Sequence, residues 1–510
     1  MARTYLCGVD VGTTATKAVL IDDAGAVLAE ATEPSRLLQP SPGHAEQDLD
    51  EMLGEATRAV RRCVQGAGVT PAHVAAICLD GQMAGIALID DDFRPAAPYD
   101  SWLDTRCGPY VVEMERMAEQ IIALTGGPPS YTHGPKMLWW RQERPEVFAR
   151  TAKFVMPAAY IAGALCGLGS GDAFIDPTYL HFSCFGDPQA GRWSLDLLSH
   201  FGIPAGKLPR IVQPWEVVGR LTAAGASSTG LLEGTPVVAG AGDQAAAMLG
   251  AGIVRPGMVY DAAGTASVLA PCVPRFAPDL AHRTLLTARL VPEGLWYVVG
   301  YIGGGGLNLR WFRDLLRSGA EAGGEDYAAL DARAAALPPG ADGLLFVPHL
   351  GGRVCPNRPH LRGAWVGLTW AHGIPHLYRA LLESVAYEYA IYLAIARGLA
   401  PELRFEEVRV VGGGAKSAFW NQLKADVLQL PYVRLNRTEA AALGSAILAG
   451  YGVGVFKDLG EAVGRFTRPA ARYTPDPTRA AAYHRASALY EQLVSQHDEL
   501  WQGIAGLLGG

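Results

Sequence analysis

The apolar residues of this chain fall into short runs that end in polar clusters. Tyr5 to Val9 is apolar, Gly12-Thr13-Thr14 follows as a turn, and Lys17 to Ile21 returns before Asp22-Asp23-Ala24-Gly25. This pattern predicts a β-hairpin with a polar tip. A second apolar strand, Val74 to Leu79, ends at Asp80-Gly81-Gln82, and Gly85 to Ile89 follows. Polar residues therefore collect at strand ends, where open α/β sheets place their ligands. The middle of the chain, about residues 110 to 230, reads as helical and loop-rich, with Trp139-Trp140-Arg141 and Pro177-Thr178-Tyr179 as landmarks. Strand-to-helix character returns with an apolar strand at Pro236 to Ala239 and a helix from Gln244 to about Leu249.

Near residue 253 the pattern starts afresh. Val259-Tyr260 leads into Asp261-Ala262-Ala263-Gly264-Thr265 much as Gly8-Val9 leads into Asp10-Val11-Gly12-Thr13. The echo is short, but a duplication joined there would divide the chain evenly. At 510 residues the chain is too long for one ordinary core. Two domains are expected, residues 1–252 and 253–510.

Composition narrows the class of protein. Hydrophobic residues make up 49% and charged residues 18%, enough apolar material for large cores. The net charge is -7, and no run of Lys and Arg tracks a phosphate backbone, so nucleic acid is not an expected partner. Asp10 and several glycines interrupt the N-terminal apolar stretch, and no segment reaches about 18 uncharged apolar residues, so neither an export signal nor a membrane span is expected. The eight cysteines are scattered singly, without the spacing of a zinc or redox motif. Reduced thiols in a cytoplasmic protein are the expectation. The oligomeric state stays open, with a homodimer the assembly to test.

Four features carry candidate chemistry. The first is the turn Asp10 to Lys17, DVGTTATK, in which Gly12 allows close backbone approach, Thr13 and Thr14 donate to phosphate oxygens, and Asp10 holds a magnesium ion. The competing reading is a hairpin turn that needs these residues for geometry alone. The second is a set of glycine turns, Gly264-Thr265, Gly303 to Gly306 and Gly412 to Gly414. The last of them follows a strand and opens a helix, and together they fit a nucleotide cradle better than packing alone. The chain has no GxxxxGK[ST] pattern, so a P-loop site is not expected.

The third feature is Asp243, which follows an apolar strand among Gly and Ala. It reads either as the N-cap of the helix at Gln244 or as a general base that takes the proton of an attacking hydroxyl. The fourth pairs GQMAG (Gly81 to Gly85) with SWLDTRC (Ser101 to Cys107), where Trp102, Asp104 and Arg106 offer an aromatic plane, a carboxylate and a guanidinium to a polyhydroxylated ligand. The competing reading makes Asp104 and Arg106 a surface salt bridge.

These segments, in this order, resemble the FGGY family of carbohydrate kinases from about residue 5 to about residue 450. DVGTTATK resembles the first phosphate segment and AGAGDQAAAMLGAG the segment of the catalytic Asp. AAGTAS and GGGAKSAFWNQLKAD resemble the second phosphate and adenosine segments. YTHGPKMLWWRQE and GAWVGLTWAHGIPHLYRALLE resemble the two family signatures, with departures at His133, Trp140 and Leu381.

The resemblance implies an α/β protein of two ribonuclease H-like domains, of the actin and hexokinase type, flanking a deep cleft. The sugar would be held mostly by the first and ATP by the second. It implies Asp243 as base, and Asp10 organising Mg2+ and phosphates with Gly12, Thr13, Thr14 and Lys17, Asp243 being the second metal-facing carboxylate. Gln82, Met83, Trp102, Asp104, Arg106, Asp243 and Gln244 would surround the sugar. Gly264, Thr265, Gly305, Gly413, Gly414 and Asn421 would surround ATP.

Within the family the likeness leans to the xylulokinase branch through GQM and the WxDTRC segment, which points to a pentulose such as xylulose. Ala84 departs from that branch's His and cannot hydrogen-bond a sugar, which leaves other ketoses, sugar acids and polyols open. An ATP-driven chaperone or filament ATPase of the same fold would not need Asp243, Trp102, Asp104 and Arg106 together. A regulator without turnover would not need both Asp10 and Asp243.

Overall fold

The computed structural model describes residues 3–318, 326–437, 439–496 and 498–507. The chain divides into two compact units. The first comprises Met1–Val254, Thr287–Trp296 and Glu439–Thr467, and the second Arg255–Leu286, Tyr297–Thr438 and Arg468–Gly510.

The first unit is built on six strands: β1 (Tyr5–Val11), β2 (Ala15–Asp22), β3 (Val27–Pro34), β4 (Val74–Gly81), β5 (Val217–Arg220) and β6 (Pro236–Val238). They are ordered β5-β6-β4-β1-β2-β3. β1 and β2 form the hairpin expected from the sequence, β2 continues antiparallel to β3, and β1, β4 and β6 run parallel. Alternation along the strands feeds two cores. Cys7, Val9, Ile77 and Leu79 face helix α1 (Leu49–Ala67), whereas Leu6, Ala76 and Cys78 face the helix Ala441–Gly452 and its neighbours. β4 reads as an unbroken apolar run because both of its faces are covered.

The second face is packed at backbone distance. A Cβ on Gly8 of β1 would lie 2.0 Å from the Ala442 carbonyl oxygen, and one on Gly444 would lie 1.9 Å from that of Ala246. Glycine at both positions lets the helix Ala441–Gly452 settle onto β1 and onto the helix Asp243–Gly250. Asp10 and Asp80 lie on the same side of their strands as Gly8 and Cys78, and so meet this helix.

The second unit repeats the plan with β7 (Met258–Ala263), β8 (Ser267–Val273), β9 (Trp296–Ile302), β10 (Glu407–Val411), β11 (Tyr432–Leu435) and β12 (Pro469–Tyr473), ordered β9-β8-β7-β10-β11-β12. Again the first two strands are antiparallel, three run parallel, and the last is antiparallel. The sequence echo is one residue out of register, however. Three-residue turns, Gly12-Thr13-Thr14 and Gly264-Thr265-Ala266, close the two hairpins. Asp261 therefore stands one residue further from its turn than Asp10 does, on the opposite strand face. There its carboxylate takes the Lys424 ammonium and the Tyr389 hydroxyl (2.8 Å), and all three residues are buried.

All eight cysteines are free, and among the described residues no helix is long and apolar enough to cross a membrane. The close helix contact is testable: Gly444→Ala should cost about 1–3 kcal/mol through overpacking against main chain that cannot give way. The calorimetric melting midpoint should fall; an unchanged midpoint would contradict the contact.

Candidate active site

Two strand ends and one helix start bring three carboxylates together in the first unit. Asp10 and Asp80 are direct neighbours across the parallel β1/β4 pair. Asp80 is wholly buried and accepts from Ser445 Oγ at 2.5 Å. Asp243 opens the helix Asp243–Gly250, whose N-cap is Gly242. The N-cap reading of Asp243 is thus corrected: it stands in the first helical turn, with its Oδ1 accepting from the Gln244 N–H at 2.6 Å. Its carboxylate remains beside the free N–H groups of the helix start, a favourable place for negative charge.

Two further contacts fix the approach to Asp243. The Gly242 N–H donates to Thr178 Oγ1 (2.8 Å), whose hydroxyl donates to the buried Asp176 (2.6 Å). The Tyr179 hydroxyl spans the Gly81 and Ala241 carbonyls, at 3.2 and 3.1 Å, tying the end of β4 to the strand that leads into Asp243.

Burial governs the electrostatics. It pushes Asp10 up to about 6, with Lys17 pulling the other way, and pushes Asp243 up to about 7, with the Asp10 charge adding to the effect. Asp80 is raised well above the ordinary carboxylate range by burial first and by Asp10 second. Lys17, opposite Asp10 in the hairpin, forms an ion pair with Glu439. Among the described residues no three His, Cys, Asp or Glu side chains form a closed metal cage. A magnesium ion is suited to Asp10 and Asp243 nonetheless, because it is commonly held by one or two carboxylates with water and substrate phosphates.

The sugar-facing candidates form a linked set. Trp102, 41% exposed, donates from Nε1 to Thr13 Oγ1 at 2.8 Å. Gln47 donates to the Thr13 carbonyl (3.2 Å) and accepts from Gln82 Nε2 (2.8 Å). Met83 covers Gly242, and its carbonyl accepts from the neutral His133 ring at 2.5 Å. Gln244 keeps its Nε2 without a partner.

Asp104 and Arg106 are not a surface pair. Asp104 is fully buried and Arg106 nearly so, with Arg106 bonded to Asp104 (2.6 Å) and Glu46 (2.6 Å) and lying over the Trp139 ring. Asp104 also accepts from the Ala45 N–H at 2.7 Å. Their polar atoms are largely engaged by the protein itself, which makes them holders of the Trp102 segment.

In the second unit the glycine turns converge. The N–H groups of Gly306 and Leu307 donate to the carbonyls of Gly264 and Thr265, and Gly412, at φ 83°, passes over Ala263. They border a cavity of about 650 Å³ that Gly264, Thr265, Gly413 and Gly414 line. Gly305 packs under Ser267 while its neighbour Gly306 reaches the cavity. Asn421 lies outside the lining, buried, with its Nδ2 on the Ala415 carbonyl at 2.8 Å, where it braces the Gly413–Lys416 turn. Sequence reasoning missed Arg310, Arg313, Lys416 and Asp331, which line the same cavity. The i, i+3 spacing of the two arginines after a glycine run was the available signal. It placed Asp80 at a strand end without a role and missed Ser445, its partner 365 residues away in sequence.

The FGGY carbohydrate kinase family models match the chain over residues 5–250 (N-terminal domain) and 278–453 (C-terminal domain). The chain is 29% identical to a xylulose kinase of Bacillus subtilis, over 97% of this chain and 98% of that protein. It is 27% identical to a gluconokinase of the same organism, over 96% and 95%. The crystal structure of xylulose kinase from Rhodospirillum rubrum superposes with a TM-score of 0.89 at 30% identity, covering 98% of this chain and 99% of that one.

The raised carboxyls have a consequence for stability. Asp10 and Asp100 lie at about 6, and Asp176 and Asp243 at about 7, each chiefly through burial, against about 3.9 unfolded. Between about pH 4 and 7 the folded state holds more protons than the unfolded state, so stability rises as pH falls through that window. In magnesium-free buffer the melting midpoint should climb from pH 8 to pH 6, and Asp176→Asn should flatten the climb. A midpoint that drops over this range would contradict the assignment.

Proposed function

Because this chain belongs to the FGGY family of carbohydrate kinases, which transfer phosphate from ATP to a sugar, we propose that it phosphorylates one hydroxyl of a small ketose with Asp243 as the base. A pentulose such as xylulose is the first substrate to test, since relatives alike over the whole length are xylulose kinases. The observation that carries the reading is Asp243 itself, a carboxylate at a helix start raised to about 7 by burial and the Asp10 charge. A base poised near the working pH is half deprotonated and strong enough to accept a hydroxyl proton as the oxygen attacks phosphorus.

Other residues of the first unit support the same chemistry. Gln82, Met83, Trp102 and Gln244 offer a polar and aromatic setting for the sugar, with Asp104 and Arg106 holding the Trp102 segment. The Gly12-Thr13-Thr14 turn and Lys17 are suited to phosphate oxygens. Bound at Asp10 and Asp243, Mg2+ would offset the negative charge of the transferring phosphate. In the second unit, Gly264, Thr265, Gly306, Gly413 and Gly414 would take the nucleotide, with Arg310 and Lys416 adding positive charge. The free thiols suit a reducing, cytoplasmic setting.

A sugar acid is the second reading, favoured by the likeness to a gluconokinase and by Ala84, whose methyl makes no hydrogen bond to a ketose. A coupled ADP-release assay across xylulose, other ketoses, gluconate and glycerol separates the two. Asp243→Asn should lower kcat by about a thousandfold on the best substrate while leaving sugar binding in place. Turnover that survives the substitution would remove Asp243 as base.

A further inference from the structure

Tyr99 is wholly buried, yet its hydroxyl has no hydrogen-bond partner. A buried phenol normally finds one, because a dry, unpaired hydroxyl costs free energy. An orphan of this kind asks for a ligand or a water to complete it.

The surroundings of Tyr99 narrow the choice. It lies opposite Gln47 in the short antiparallel pair of Glu46–Gln47 with Tyr99–Asp100, and Gln47 is the residue that links Gln82 to the Thr13 turn. The phenol reaches the Gly81–Gly85 loop: a Cβ built on Gly85 would lie 2.0 Å from the Tyr99 hydroxyl oxygen. The hydroxyl therefore fills the side-chain space of residue 85, next to Ala84, whose methyl neither donates nor accepts. Two more orphan atoms stand in this neighbourhood, Gln82 Oε1 on the loop and Gln244 Nε2 beside Asp243. Burial, and then the charge of Asp243, push the Tyr99 phenol well above its ordinary range, so the hydroxyl keeps its proton and can donate.

We propose that Tyr99 is a specificity-determining residue of the sugar site, its hydroxyl acting with Gln82 Oε1 and Gln244 Nε2 to bind the sugar hydroxyls beside the one that reacts. The inference rests on the reading of the first unit as the sugar-binding part. An acceptor, an amide donor and a hydroxyl that does both match the vicinal hydroxyls of a polyhydroxylated substrate. A substrate lacking one of those hydroxyls would leave a buried polar group unpaired, the situation in which discrimination is steepest. All three atoms are buried and unpaired.

Tyr99→Phe keeps the ring and removes only the oxygen. With the full-length enzyme, KM and the calorimetric Kd for the preferred sugar should rise about tenfold or more, with a smaller effect on kcat. The KM for ATP should hold, selectivity between epimeric sugars should narrow, and the melting midpoint should stay level or rise. Sugar KM and Kd at wild-type values, with a lowered midpoint, would make the hydroxyl structural and overturn the proposal. If the wild-type enzyme phosphorylates no compound of the panel, the sugar-site reading falls and takes this proposal with it. If the wild type turns over and Tyr99→Phe matches it on every sugar, this proposal falls alone.

Discussion

The site depends on holding three carboxylates together, Asp80 buried and Asp10 and Asp243 half-buried, without a cation dedicated to them. Asp10, Asp80 and Asp243 converge where β1 and β4 end and one helix begins, and the nearest cation, Lys17, is shared with Glu439. Such an arrangement costs free energy, since burial and like charge both oppose ionisation. It is held in place by contacts that do not depend on charge: glycines at 8 and 444 that let main chain meet main chain, and the Thr178–Asp176 relay behind Gly242. The result is a carboxylate of raised basicity in a place that suits a divalent cation.

The two units differ in what their first hairpins carry. Both place three parallel strands beside a hairpin that turns at glycine and threonine, with the last two strands exchanged in chain order. In the first, Asp10 stands beside Asp80 across the parallel pair. In the second, the comparable acid is one residue out of register, where it pairs with Lys424 and accepts from the Tyr389 hydroxyl. The second unit instead opens a cavity lined by glycine, Arg310, Arg313 and Lys416, which suits a nucleotide. Two actin/hexokinase-like domains thus differ in what they gather: carboxylates in the first, a glycine- and arginine-lined cavity in the second.

Much of this was legible in the sequence because chemistry at strand ends is local. The β1–β2 hairpin, the Gly12-Thr13-Thr14 turn, the carboxylate after β6 and the glycine turns each announce themselves within about ten residues. What escaped depends on distant pairing. For Asp104 and Arg106 the sequence left sugar binding and a surface pair open, because nothing nearby shows that Ala45 and Glu46 pack onto them. Beside its reading as a base, Asp243 allowed a cap reading, because a helix boundary shifted by one residue looks the same in sequence. Ser445 and Tyr99 have no local signal, since their roles come from Asp80 and Gly85 across the fold.

The central claim is that Asp243 faces the reacting hydroxyl of a bound sugar. A crystal structure of the protein with its preferred sugar, chosen by turnover, tests it most directly. One sugar hydroxyl should lie within about 3.2 Å of the Asp243 carboxylate, the reach a general base needs. A sugar bound with no hydroxyl near Asp243 would contradict it.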